Sequence, residues 1–305
     1  MSFLARRILA MLVVVWLAAT LAFFALRVLP GSAIEGQLVQ SGVSQDVIEQ
    51  RLAEQGLTEP IWIQYFRFLL NGLRGDLGRS LIDGQPVSDL ILQHLPHTVT
   101  LAFSTLVAAT GLGLLLGIMG ALELQSPLSA GARALISLSL STPIYWTGTM
   151  AIFIFSAQLG LLPSAGAGRL SQLVLPVAVL SFHTAGAIAR VVQASVRDTM
   201  SAEFVQVARA KGLPERAVVW RHVLRASLLP VVTVIALQAG FLLSGTVITE
   251  SLFVRPGIGR VLLDAILRQD YPVVQGVAIF TAFVYTAANT LADGLYRLLD
   301  PRVAA

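Results

Sequence analysis

The sequence predicts an all-α integral membrane protein of six transmembrane helices. Both termini are expected in the cytoplasm, and an extracytoplasmic helical insertion follows the first span. Three observations carry this reading. Of 305 residues, 55% are hydrophobic and only 12% charged, against about 25% charged in soluble domains. Six windows free of Asp, Glu, Lys and Arg approach or exceed the roughly 20 residues that cross a bilayer. The Lys and Arg residues sort unevenly between the loops on the two sides.

The windows are Ile8–Leu26, Thr98–Leu122, Ala134–Leu162, Leu170–Ala189, Ala226–Thr249 and Pro272–Ala292. In lipid, apolar runs of this length must satisfy their own backbone, so each is read as a helix. MSFLARRILA at the start resembles a signal-peptide n-region, and GSA at 31–33 could be cut. The apolar run exceeds the usual h-region of about 7–15 residues, so the segment is read as an uncleaved first span over 1–27. With the N-terminus inside, 12 of the 21 Lys and Arg residues fall in cytoplasmic segments, seven of them between Arg190 and Arg225. Eight lie outside, diluted among acidic residues, and Arg27 sits at a boundary. The membrane core then runs over 97–300, with spans about 98–122, 134–160, 170–192, 226–250 and 272–296. It includes a cytoplasmic loop 199–225, an outer loop 251–271 and a tail 301–305.

The insertion, 28–96, is too long for a connector. SQDVIEQRLAEQGL (44–57) has helical periodicity, with Ser44 as cap and Gly56 as stop. A second helix starts at Thr58 and Pro60. Its Trp62, Tyr65, Phe66 and Leu69 recur at helical spacing, giving one apolar face. That face could lie on the membrane, pack on a partner or be buried internally. GDLGRSLIDGQPV (75–87) reads as a return loop.

The segment MSAEFVQVARAKGLPERAVVWRHVLRASLLP (200–230) holds Lys211, the single lysine. Ser201 is placed to cap a short helix, with Glu203 in its first turn. Gly212 follows as a C′ residue, and Pro214 opens a second helix at N1. Phe204, Val207, Ala208 and Lys211 fall on one face. Such a helix–corner–helix element suits docking into a groove of another protein. An amphipathic helix on anionic lipid is the competing reading.

At these residues the chain resembles the permease subunits of ATP-binding-cassette importers, in particular the dipeptide/oligopeptide/nickel group. The stretch EFVQVARAKGLPERAVVWRHVLRASLLPVVT is similar to the cytoplasmic loop of that family. LARRILAMLVVV, RVLPG (27–31), RGDLGRS (74–80), ESLFVRPGIGR (250–260), RQDYPVVQG (268–276) and LYRLLDPR agree in order, across essentially the whole chain. The set resembles the first of the two permeases of such systems. The general family loop begins Glu-Ala-Ala, then three residues, then Gly. The equivalent positions here are Gln206, Val207 and Ala208, so only Ala208 and Gly212 match; the peptide/nickel group resembles this chain in lacking the Glu.

The resemblance implies a coupling role for Glu203, Phe204, Val207, Ala208, Arg209, Ala210, Lys211, Gly212, Leu213 and Pro214. It implies a second permease, two cytoplasmic ATPase subunits or domains carrying ATP and Mg2+, and an external binding protein, in a bacterial inner membrane. No cofactor or metal is expected on this chain. Peptides are the implied cargo, with nickel, opines, glutathione-like peptides or haem as alternatives.

The chain has no phosphate loop of the G-x-x-x-x-G-K-[ST] type, no H-E-x-x-H and no G-x-S-x-G. GLGLLLG (111–117) lies inside a span and reads as close helix packing. Catalysis is therefore not expected. A basic composition, with net charge +4, could suggest nucleic acid, but the basic residues sort by loop and form no single stripe. Cysteine is absent, which removes disulfides and thiol chemistry. An ion-coupled carrier would want intramembrane carboxylates, which the six windows lack; a membrane scaffold is the other remote alternative.

Candidates for the translocation path or gate are His183, Gln238, Ser244, Glu250 and Arg255. His183 is ionisable inside a span. Gln193 and Gln238 are polar near spans. Glu250 is placed at the outer C-terminal end of the fifth span, where the helix dipole disfavours a carboxylate unless a partner offsets it. Asp293 and Arg297 form an i, i+4 pair, Arg190 and Arg197 anchor the fourth span at the headgroups, and Pro143 kinks the third.

Overall fold

The computed structural model describes residues 3–28, 59–122 and 126–299. In chain order the helices are α1 (Phe3–Val28), α2 (Ile61–Leu73), α3 (Val87–Leu122), α4 (Pro127–Ser141), α5 (Ile144–Ala151, continued by a π-helical Ile152–Gln158) and α6 (Ser171–Met200). Then come α7 (Glu203–Ala210), α8 (Glu215–Ala217, continued by a π-helical Val218–Val223), α9 (Leu224–Gly245), α10 (Val247–Leu252), α11 (Ile258–Leu267) and α12 (Tyr271–Leu299). Among the described residues no strand forms; Arg79 and Pro86 make an isolated antiparallel bridge. The helix expected over 44–57 and the tail 301–305 lie outside the described residues. So do the side chains of Ser244, Asp293 and Arg297.

Four helices, in α1, α3, α6 and α12, are long and apolar enough to cross a membrane. Two bent helix pairs also pass on length and composition when each is counted as one span: Pro127–Ser141 with Ile144–Gln158 at 107°, and Glu215–Leu228 with Pro230–Leu243 at 47°. The expected kink at Pro143 is thus a full break. Proline offers no N–H and pushes its predecessor out of the helical region, and Thr142 is extended at φ −89°, ψ 137°. The helix expected to begin near Thr98 begins at Val87, because Val87 and Ile91 are buried one turn apart and Asp89 sits in a favourable first turn. A charge-free window could not see this start.

The chain divides into two compact units. The first comprises Met1–Pro96 and Pro256–Thr286. Its α2 packs on α1 through rings: the Phe23 centroid lies 5.3 Å from Tyr65 and 5.4 Å from Phe68. The Tyr65 and Thr20 hydroxyls are 2.8 Å apart. The expected apolar face is therefore divided. Tyr65 meets α1, whereas Trp62 and Phe66 are exposed. Val87, Ile91, Ile258, Ala265, Val273 and Val277 form this unit's core. The glycine-rich return loop is pinned there by buried Asp270, which accepts hydrogen bonds from Ser80 Oγ (2.5 Å) and the Leu81 N–H (3.1 Å).

The second unit comprises His97–Arg255 and Ala287–Ala305. Helix α6 is its centre and packs on α9, α4 and α5. The glycines of α3 make close packing possible. A Cβ at Gly113 would stand 2.8 Å from Ile188 Cβ, and one at Gly117 would stand 2.5 Å from Val192 Cβ. GLGLLLG is thus a helix-packing surface, through Gly113 and Gly117. Near the C-terminus of α3, the Gly120 carbonyl receives Gln193 Nε2 (2.9 Å) and Arg197 Nη2 (3.2 Å). Arg197 therefore binds a helix end, where a cation offsets the dipole. Gln193 is likewise engaged in packing.

Candidate coupling surface and path residues

The coupling segment begins with an unexpected cap. Ser201 Oγ donates to the Asp198 carbonyl, 2.8 Å away, and so closes α6. The N-cap of α7 is Ala202, which has no side-chain acceptor. Glu203 remains in the first turn as expected.

The other end of α7 follows the sequence closely. Gly212 has φ +76°, a conformation that costs an L-residue about 1–2 kcal/mol. Its N–H bonds the Arg209 carbonyl (2.9 Å), and the Leu213 N–H reaches the Ala208 carbonyl (3.4 Å). This pair of bonds is a Schellman motif, which satisfies the last carbonyls of the helix locally. Pro214 is the N-cap of α8 at φ −63°, ψ 141°, one position before the expected N1. Arg209 then spans the corner and grips Glu215 twice, through Nε (3.0 Å) and Nη2 (2.6 Å). The Arg209 hydrogen bond holds the Glu215 carboxyl below its usual range.

Helix α7 is anchored inward by Val205 and Ala208. Both are buried in a cluster with Val192, Val196, Val218, Val219, Val223 and Leu224. Phe204 and Val207 face out, at 48% and 52% exposure. Lys211, Gly212, Leu213 and Pro214 are exposed too, as are Arg209 and Ala210. The face expected to hold Phe204, Val207, Ala208 and Lys211 is therefore split. Ala208 lies at its edge and turns into the core, because Val205 sets the direction of burial. Trp220, 64% exposed on the π-helical turn, is an outward ring that periodicity did not flag.

The path candidates divide into separate clusters. Glu250 is fully buried. It accepts hydrogen bonds from Thr98 Oγ1 (2.7 Å) and Thr246 Oγ1 (2.8 Å). It does not end the long fifth-span helix: α9 stops at Gly245, and Glu250 belongs to the separate α10. In the first turn of α10 the helix dipole favours its carboxylate, and it also interacts electrostatically with Arg255. Arg255 is also buried, with its Nη1 3.3 Å from the Gly166 carbonyl and 3.5 Å from that of Gln172. Between them Val254 adopts φ +49°, a strained state for a β-branched residue. It is held by the Gly166 N–H on the Phe253 carbonyl (3.1 Å) and the Arg255 N–H on the Glu250 carbonyl (2.8 Å).

His183 lies elsewhere in the same unit. Its ring contacts the Ser139 carbonyl through Nδ1 (2.8 Å) and Thr147 Oγ1 through Nε2 (2.7 Å). Gln238 is half-buried on α9, and Ser244 occupies α9 near its end. Among the described residues, no group of three His, Asp or Glu is placed to hold a metal ion.

Two family profiles match the chain. The inner membrane component of binding-protein-dependent transport systems matches residues 113–305, and the N-terminal membrane component of such systems matches residues 1–102. The di/tripeptide transport system permease of Pseudomonas aeruginosa is 34% identical over 332 residues, covering 99% of this chain and 98% of the relative. The dipeptide permease of Escherichia coli K12 is 32% identical over 335 residues, with 99% and 98% covered. The glutathione permease of E. coli O6:H1 is 31% identical over 303 residues, with 99% of each covered. An inward-facing methionine ABC transporter shares the fold at TM-score 0.59 and 16% identity, covering 69% of this chain and 96% of that one. With its ordered motifs, its helical membrane architecture and these matches, the chain belongs to the family of inner-membrane components of binding-protein-dependent transport systems.

Proposed function

We propose that the chain is the membrane permease of an ATP-driven importer that passes peptides from an external binding protein into the cytoplasm. Both termini and the 199–225 loop face the cytoplasm in this reading. A second permease completes the pathway, and two ATPase subunits or domains carry ATP and Mg2+. Helix α7 seats in a cleft of an ATPase and transmits its closure to α6 and α9 by switching the spans between inward-open and outward-open arrangements.

The observation that carries the proposal is the construction of α7. Its two buried anchors tie it to the core of the long helices, and the Schellman corner and the Arg209–Glu215 pair brace its far end. Phe204 and Val207 remain outward with no role in that core. A lever requires this combination of stiffness, attachment and a free contact face. Glu250 and Arg255 hold the strained 250–255 turn, which serves as part of a gate.

Because the chain has no cysteine, a single introduced thiol tests the contact. In the assembled transporter, Val207→Cys should cross-link to the ATPase subunit, whereas buried Val205→Cys should not. Proteoliposomes should take up a labelled dipeptide only with ATP and the binding protein. Uptake without ATP, or cross-linking from Val207→Cys to lipid alone, would overturn the reading. Uptake of nickel, an opine, a glutathione-like peptide or haem in place of dipeptide would change the cargo and leave the coupling intact.

A further inference from the structure

We propose that His183 is a positioning residue for transport: it fixes the elbow of the third span by taking up the Ser139 carbonyl that Pro143 leaves without a helical partner. The argument starts from the backbone. Helix α4 ends at Ser141, and the Thr142 N–H bonds the Leu138 carbonyl at 3.0 Å. The next carbonyl, that of Ser139, would take its hydrogen bond from the amide of residue 143. That residue is proline, which has no N–H. In lipid no water stands ready to replace it.

His183, from α6, reaches this carbonyl with Nδ1 at 2.8 Å. A carbonyl only accepts, so Nδ1 carries the proton and Nε2 presents its lone pair. Thr147 Oγ1 lies 2.7 Å from Nε2 and donates its one proton there when it gives up the Ile144 carbonyl, 2.9 Å away. Ser139 belongs to α4 and Thr147 to α5. One side chain from a third helix therefore grips both arms of the 107° bend.

A second feature sets the register at the same residue. Gly186 stands one turn beyond His183 on α6, and a Cβ there would collide with Ser139 Oγ. Ser139 is almost fully buried, and its own hydroxyl donates to the Ile136 carbonyl at 2.8 Å. Its side chain thus cannot serve the open carbonyl, and the imidazole does. Helix α5 packs on α6 and on α10, which carries Glu250. A fixed elbow makes α4 and α5 move with α6 as one piece. A loose elbow would let α5 swing separately, so ATP would be hydrolysed with less cargo moved.

The uptake part of this inference rests on the ATP-driven reading; the distance part does not. In the assembled transporter, spin labels on Leu128→Cys and Phe153→Cys report the bend. Wild type should give one narrow distance distribution. His183→Leu should broaden it and lower uptake per ATP hydrolysed about tenfold, the size of one orphaned buried hydrogen-bonding group. His183→Asn, whose amide N–H can take the place of Nδ1, should restore both. His183→Gln, which reaches toward Thr147, should restore neither. If His183→Leu does not assemble, the Asn and Gln variants decide the matter. A narrow distribution with wild-type uptake in His183→Leu, or equal behaviour of Asn and Gln, would overturn the proposal.

Discussion

Two breaks in this chain are built on proline, and they are completed in opposite ways. At Gly212-Leu213-Pro214 the helix end satisfies itself: the Gly212 and Leu213 amides fold back on Arg209 and Ala208. At Thr142-Pro143 the chain turns through 107°, and a remote imidazole supplies the hydrogen bond to Ser139. The first corner is exposed, where water can also serve backbone groups. The second lies in an apolar span, where an unpaired carbonyl is costly. A break in water can be a local matter, whereas a break in lipid needs a tertiary partner.

The contrast predicts a ladder of effects. The largest is at the elbow. Gly186→Val drives a side chain into Ser139, and overpacking of that kind costs about 3 kcal/mol. Folded yield and thermal melting in detergent should both fall, and a wild-type melting curve would contradict the packing described. At the exposed corner the effect is smaller. Nothing crowds a Cβ at Gly212, so only its φ of +76° opposes a side chain. Gly212→Val should cost about 1–2 kcal/mol, confined to the corner, with the protein still inserted and uptake reduced. Gly212→Asn, which tolerates this conformation, should stay close to wild type. Equal losses from Val and Asn would mean that the left-handed backbone is not what matters.

The smallest effect is electrostatic. The folded pKa of Glu215 is depressed by its bond to Arg209. The pair's contribution is therefore present above the ordinary carboxylate value and lost as pH falls through the lowered one. Protection from hydrogen exchange across 203–217, relative to the intrinsic rate at each pH, should fall on acidification below the ordinary carboxylate range in wild type and show no such step in Glu215→Gln. The pair is exposed, at 37% and 57%, so added salt should weaken it. An unchanged step at high salt would remove the pair as its cause.

Several site features were legible from residue order because they are local. Gly212 as C′ residue, Glu203 in a first turn and the glycine stripe of α3 each follow from neighbours in sequence. The errors share one cause. Ser201 looked like an N-cap for α7, but its hydroxyl is nearer the end of α6 and closes that helix instead. Period alone groups Ala208 with Phe204 and Val207. The deciding fact was that Val205 meets Val192, Val196 and Val218, and no spacing rule reports which side of a helix meets the core. A charge-free window puts Glu250 at a helix C-terminus because it does not reveal the stop at Gly245. Asp270 lies in the RQDYPVVQG motif, but nothing local shows that it is buried against Ser80 and Leu81.

The sequence by itself determined the membrane class, the apolar spans, the corner at Gly212 and the family, since each depends on composition, periodicity or ordered local motifs. Tertiary structure alone decided which face of α7 is free, what holds Glu250, and why a histidine sits within a span. The buried polar contacts draw on partners far along the chain: Thr147 and Ser139 for His183, Thr98 for Glu250, Gly120 for Gln193 and Arg197. Hydrogen bonding and close packing act through space, and their partners are set only when the helices meet.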